Sequence, residues 1–113
     1  MLDKEKPDAV SIATPDHLHK EIALEVIERG LSLLVEKPLD VTVKGAKEIN
    51  RKAQEKGVFL QVDFHKRYDP YHREAERIVK SGRLGEIQYG YVMMEDVINF
   101  PRDCFPNWAS KSS

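Results

Sequence analysis

Apolar residues in this chain recur with a period of two over short runs and near 3.6 over longer ones, and the two patterns alternate from Asp8 to Gly82. Alternation of that kind is the mark of strand–helix–strand units, so it confines the fold to α/β, with parallel strands joined by helical crossovers. The first predicted strand is Ala9-Val10-Ser11-Ile12-Ala13, with Val10 and Ile12 on one face. Its other face carries only Ala9, Ser11 and Ala13, small enough for a helix to pack closely. Thr14-Pro15 reads as a helix start, with threonine as cap and proline in the first turn. That helix runs to about Arg29, turns Leu18, Ile22, Val26 and Ile27 inward, and stops at Gly30.

Leu31 to Val35 is almost wholly apolar and too short for a helix, as expected of a strand covered on both faces. A second helix follows from about Val43 to Lys56, capped by Thr42, with Ala46, Ile49 and Ala53 inward and Gly57 at its end. In the third strand, Val58, Leu60, Val62 and Phe64 share one face, while Gln61 and Asp63 leave the other less covered. Asp69-Pro70 repeats the cap-and-proline signal before a helix with Ala75, Ile78 and Val79 inward, ending at Ser81-Gly82. Glu86 to Asn99 reads as a further strand rich in Tyr89, Tyr91, Val92, Met93, Met94 and Val97. Phe100 to Ser113, which includes Trp108, has neither period and reads as loop.

Composition narrows the function classes. The 113 residues are 41% hydrophobic and 33% charged, which excludes fibrous and wholly disordered chains. Lysine and arginine number 18 against 19 acids, a balance with no field to attract nucleic acid or an anionic membrane. No apolar run is long enough to cross a bilayer and no signal peptide opens the chain, so a cytoplasmic location is expected. Cys104 is the only cysteine and has no second thiol to pair with. His17 and His19 are two apart and point to different sides of a helix, so no metal site is expected.

Parallel strands bring their carboxyl ends to one edge, where ligands bind in open α/β sheets. The residues just past each strand are therefore Thr14, Pro15 and His17, then Glu36, Lys37 and Pro38, then His65, Lys66, Arg67 and Tyr68. Two readings of Lys37 stand at this point: partly desolvated and able to hydrogen-bond a hydroxyl undergoing oxidation, or simply facing water at a strand end. A cis bond before Pro38, found in about 5% of X-Pro pairs, would aim Lys37. His65 and His72 read as surface or packing histidines, and Lys66 with Arg67 as either an anion site or a solvated turn.

Four motifs in order resemble the glucose-fructose oxidoreductase, inositol dehydrogenase and MocA (Gfo/Idh/MocA) family. They are Asp8 to Pro15 with His19, Glu36-Lys37-Pro38, Phe64 to Pro70, and Ser81 to Ile87. The resemblance implies a partial doubly wound, Rossmann-type parallel sheet, followed by the first helix and strand of an α+β substrate domain. Residues 1–68 would form the C-terminal half of the NAD(P)-binding domain and 69–113 the start of a substrate and oligomerisation domain. It implies hydride transfer between NAD or NADP and a sugar or polyol, in a homo-oligomer, with Lys37 contacting the nicotinamide ribose and the substrate hydroxyl. Thr14, Pro15, His19, Glu36, Lys37, Pro38 and Arg67 would border the cofactor. The 113 residues contain no Gly-x-Gly-x-x-Gly turn, so the expectation is an internal piece of a longer oxidoreductase, inactive in isolation. The alternative is a stand-alone, non-catalytic α/β module that associates through an unpaired strand edge.

Overall fold

The computed structural model describes residues 2–95 and Asn99. A short helix α1 (Leu2–Glu5) precedes β1 (Ala9–Ile12), α2 (His19–Glu28), β2 (Ser32–Glu36), α3 (Val43–Lys56), β3 (Leu60–Asp63) and α4 (Pro70–Lys80). The three strands form one parallel sheet in the order β1-β2-β3, with Ile12 opposite Val35 and Val35 opposite Val62. Both pairings join strands consecutive in sequence through a helix, as the alternating periods require.

Helix α2 lies against β1 and β2, and α3 packs beside it. The buried residues of α2 are His19, Ala23, Val26 and Ile27, spaced i, i+4, i+7 and i+8, the stripe that faces a core. Gly45, Ile49 and Ala53 do the same for α3 at intervals of four. They close on Ile12, Leu33 and Val35 from the sheet. Fully burying an Ile, Leu or Val contributes about 1.5–3 kcal/mol, so this small cluster carries most of the stability. Outside it, Lys20 pairs with Glu48 at 2.8 Å, and Glu28 pairs with Lys52 and Lys56 at 3.2 and 2.7 Å, tying α2 to α3. These pairs are solvent-screened and add little.

The capping signals resolve individually. Thr42 Oγ1 accepts the Gly45 N–H at 3.0 Å, and Gly57 ends α3 with φ 66°. Asp69 Oδ1 accepts from the N–H groups of Tyr71 and His72 at 2.9 and 3.3 Å. Thr14 does not cap: Pro15 is extended, Asp16–Leu18 form a 3-10 turn, and α2 starts only at His19. The Thr14 hydroxyl is instead buried without a partner.

Four other expectations are corrected. Leu34 is 37% exposed and Ala9 and Ser11 are exposed, because both crossover helices lie on the opposite face, so β2 is covered on one side only. Phe64 leaves the sheet for a 3-10 turn at His65–Tyr68 and is exposed. Ala75 and Val79 are exposed and Ile78 is half-buried, since α4 packs mainly on that turn. Residues 86–95 form no strand and are exposed, having no hydrogen-bonded neighbour among the described residues. The remainder of that predicted strand, apart from Asn99, and the predicted loop with Cys104 and Trp108 lie outside the described residues. Among the described residues, no helix is long and apolar enough to cross a membrane.

Gly45 gives a direct test of the α3 entry. Asp40 Oδ2 accepts from both the N–H and the hydroxyl of Thr42, at 2.9 and 2.7 Å. A Cβ at Gly45 would lie 2.5 Å from Asp40 Cγ, so alanine must expel that carboxylate and break both bonds. Gly45→Ala is expected to destabilise the chain by about 1–2 kcal/mol despite alanine's better helix propensity. Thermal melting followed by circular dichroism checks it, and an unchanged or higher Tm contradicts it.

Candidate functional site

The three parallel strands deliver the Thr14-Pro15, Glu36-Lys37-Pro38 and His65–Tyr68 turns to the same edge of the sheet. Two cavities open there. One, of about 370 Å³, is lined by Thr14, Pro15, Asp16, Glu36, Lys37 and His65, among others. The second, of about 420 Å³, lies between the β3 end and α4, where Lys37, Asp63, His65, Arg67, His72 and Glu76 contribute to the wall. Lys37 and His65 belong to both and form the ridge between them.

The turn after β2 is built by its own residues. Glu36 Oε2 accepts the Lys37 N–H at 3.0 Å, which folds the carboxylate back onto the turn. The Lys37–Pro38 peptide bond is cis. Lys37 itself is exposed, which favours the second of the two sequence readings, a lysine facing water at a strand end. No carboxylate of the described residues lies within 4.0 Å of its ammonium group. It therefore presents an uncommitted cation to both cavities.

Thr14 is part of the wall of the smaller cavity, and its Oγ1 is buried and unpaired, a costly arrangement. His19, five residues after Thr14, lines neither cavity: it is wholly buried, with Nδ1 2.7 Å from the Pro38 carbonyl oxygen and Nε2 2.9 Å from that of Thr14. Arg67 stands in the larger cavity, away from Thr14, with its guanidinium carbon 6.0 Å from the Phe64 ring centroid, at the outer limit of a cation–π contact. Beside it, His72 Nδ1 lies 3.2 Å from Asp69 Oδ1. That contact, chiefly, holds the Asp69 carboxyl below the usual aspartate range, helped by the N–H groups of His72 and Tyr71.

Asp16 and Asp63 were not singled out by spacing or motif. Their signal is positional: each lies at or just beyond the carboxyl end of a parallel strand. His65 and His72, read from sequence as surface or packing groups, both reach the larger cavity.

The turns and both cavities sit at the carboxyl ends of the parallel strands, where ligands bind in open α/β sheets. A family model described as "Oxidoreductase family, NAD-binding Rossmann fold" matches residues 1–64. The chain belongs to the Gfo/Idh/MocA family. Among curated members, the scyllo-inositol 2-dehydrogenase (NAD(+)) of Bacillus subtilis is 37% identical over 82 residues, covering 73% of this chain and 24% of that protein. The D-glucoside 3-dehydrogenase of Escherichia coli is 37% identical over 87 residues, covering 77% of this chain and 25% of that protein. The chain thus spans about a quarter of the length of these Gfo/Idh/MocA relatives. Solved members agree in fold. The WlbA dehydrogenase of Bordetella pertussis, in complex with NADH and UDP-GlcNAcA, superposes with a TM-score of 0.73 at 31% identity, covering 77% of this chain and 25% of that one. The myo-inositol 2-dehydrogenase of Lactobacillus plantarum gives 0.72 at 32%, covering 77% and 26%.

Proposed function

We propose that this chain supplies the nicotinamide side of an NAD(P)-dependent oxidoreductase that moves hydride between the cofactor and a sugar or polyol carbon. The observation that carries the proposal is the position of Lys37 on the ridge shared by two cavities at the carboxyl ends of the strands. The bound dinucleotide supplies the hydride acceptor or donor. Thr14, Pro15, Glu36 and Pro38 shape the wall around the nicotinamide end. Lys37 reaches from that wall toward the larger cavity, where its ammonium hydrogen-bonds the carbinol oxygen and stabilises the charge that develops there. Arg67 and His72 face the same cavity and supply hydrogen-bonding groups for the substrate's other oxygens. Residues 69–113 begin the substrate domain in this reading, which is supported by α4 having no buried residue of its own.

The relatives' names support a sugar or polyol substrate and a nicotinamide cofactor. With no Gly-x-Gly-x-x-Gly turn among the 113 residues to cradle the pyrophosphate, the isolated chain should hold the nicotinamide end alone, and weakly. Titrating the ¹⁵N-labelled chain with reduced nicotinamide mononucleotide tests this. Amide shifts are expected at Thr14, Asp16, Glu36, Lys37 and His65, saturating with a Kd on the order of 1 mM. NADH should bind no more than a few-fold tighter. Shifts elsewhere, or none, would remove the proposed site, and micromolar NADH binding would refute the division of labour.

A further inference from the structure

The Thr14 and Pro38 carbonyls lie in irregular segments, and among the described residues no backbone N–H reaches either of them. Carbonyls without a backbone partner are usually met by a side chain or water. One side chain stands between them. His19 is the only buried polar or charged residue among those described, at 0% exposure. Its Nδ1 is 2.7 Å from the Pro38 oxygen and its Nε2 2.9 Å from the Thr14 oxygen. One ring nitrogen donates in either neutral tautomer, and both donate when the ring carries its second proton.

Packing alone does not call for this residue. The rest of the buried stripe on α2 is Ala23, Val26 and Ile27, and an apolar side chain at its first position would avoid the cost of burying an imidazole. What the imidazole adds is a rigid, flat spacer with a nitrogen on each side, held at the start of a packed helix. One nitrogen faces the Thr14-Pro15 turn. The other faces Pro38, the residue after Lys37.

We infer that His19 is a positioning residue that sets the gap between the Thr14-Pro15 turn and the Glu36-Lys37-Pro38 turn. Through that gap it fixes where Lys37 stands relative to Thr14. The inference deepens, and for its effect on ligand binding rests on, the nicotinamide reading above. It assigns His19 a place behind the cavity wall, acting on the ligand through the two turns.

The test uses His19→Leu, which fills the space without a donor, and His19→Gln, whose amide nitrogen presents two hydrogens. In ligand-free His19→Leu, the amide resonances of Thr14, Lys37 and Leu39 should move while those of α3 hold. Its Kd for reduced nicotinamide mononucleotide should rise about tenfold, the effect of losing roughly one hydrogen bond's worth of positioning. His19→Gln should recover most of that loss, which a purely space-filling role would not produce. Unchanged turn resonances and affinity in the leucine variant, or equal losses in both variants, would overturn the inference. Should His19→Leu fail to fold, the wild-type imidazole N–H decides: slow exchange with water is expected, and fast exchange overturns the clamp. Absence of ligand binding by the wild type would count against the nicotinamide reading alone, because the ligand-free resonances test the clamp separately.

Discussion

Ile27→Ala is expected to lower the unfolding free energy by about 3–4 kcal/mol, within the range for isoleucine truncation in a tight core. Ile27 is 0% exposed and sits where α2 meets the sheet and α3. The described core contains only eight buried hydrophobic residues, so few neighbours are free to collapse into the space left behind. A folded chain of this size has about 5–15 kcal/mol of stability in all, and the substitution removes a large share of it. Urea unfolding should show a lower midpoint with an unchanged slope. Val43→Ala is the matching control, because Val43 is 73% exposed on the adjoining helix and should shift stability by less than about 0.5 kcal/mol. An Ile27→Ala midpoint as close to wild type as that of the control would place the core elsewhere.

Lys37→Met should have the largest effect on chemistry. Methionine keeps most of the length and removes the ammonium group, so the cavities persist while the hydrogen bond to the reacting oxygen is lost. In the full-length oxidoreductase proposed above, kcat/KM for the sugar or polyol is expected to fall about 10³-fold, within the span measured for positioned acid–base groups. The loss should appear mainly in kcat, with the cofactor KM changed only a few-fold, because an interaction strongest in the transition state affects kcat and kcat/KM together. Lys44→Met, at an exposed position on α3 away from both cavities, should leave both constants near wild type. A Lys37→Met enzyme within about threefold of wild type would rule out a catalytic role for this lysine.

The fold was legible wherever local signals agreed with one another. At α3, Thr42 caps the start, Gly57 takes the left-handed conformation at the end, and Ile49 and Ala53 face inward as spacing predicts. Thr14 shows the limit of such signals. Thr-Pro before an apolar helix looks like a cap, but the structure leaves the hydroxyl buried and unpaired, and local sequence cannot distinguish a threonine that caps from one that does not. The covered-strand reading of Leu31 to Val35 failed at Leu34 for a related reason. Apolar content reports that a face can be buried, and the partner that buries it is a long-range fact. His19 was named from its place in a motif, whereas its role depends on two carbonyls, five and nineteen residues away. Main-chain oxygens leave no trace in residue type. Residues 86–95 have the bulky composition of a strand, and composition alone does not supply the neighbour that a strand must pair with.

The strand order has a consequence for the making of the protein. Within the described sheet, β2 pairs with β1 and β3 with β2, so neither later strand must wait for a distant sequence to emerge before it can dock. Once β2 has left the ribosome, β1 and α2 already have the surface on which Leu33 and Val35 close over Ile27, and α3 and β3 then add to a unit that is in place. Growth of this kind keeps unpaired apolar strands short-lived during translation, when parallel sheets are most exposed to aggregation.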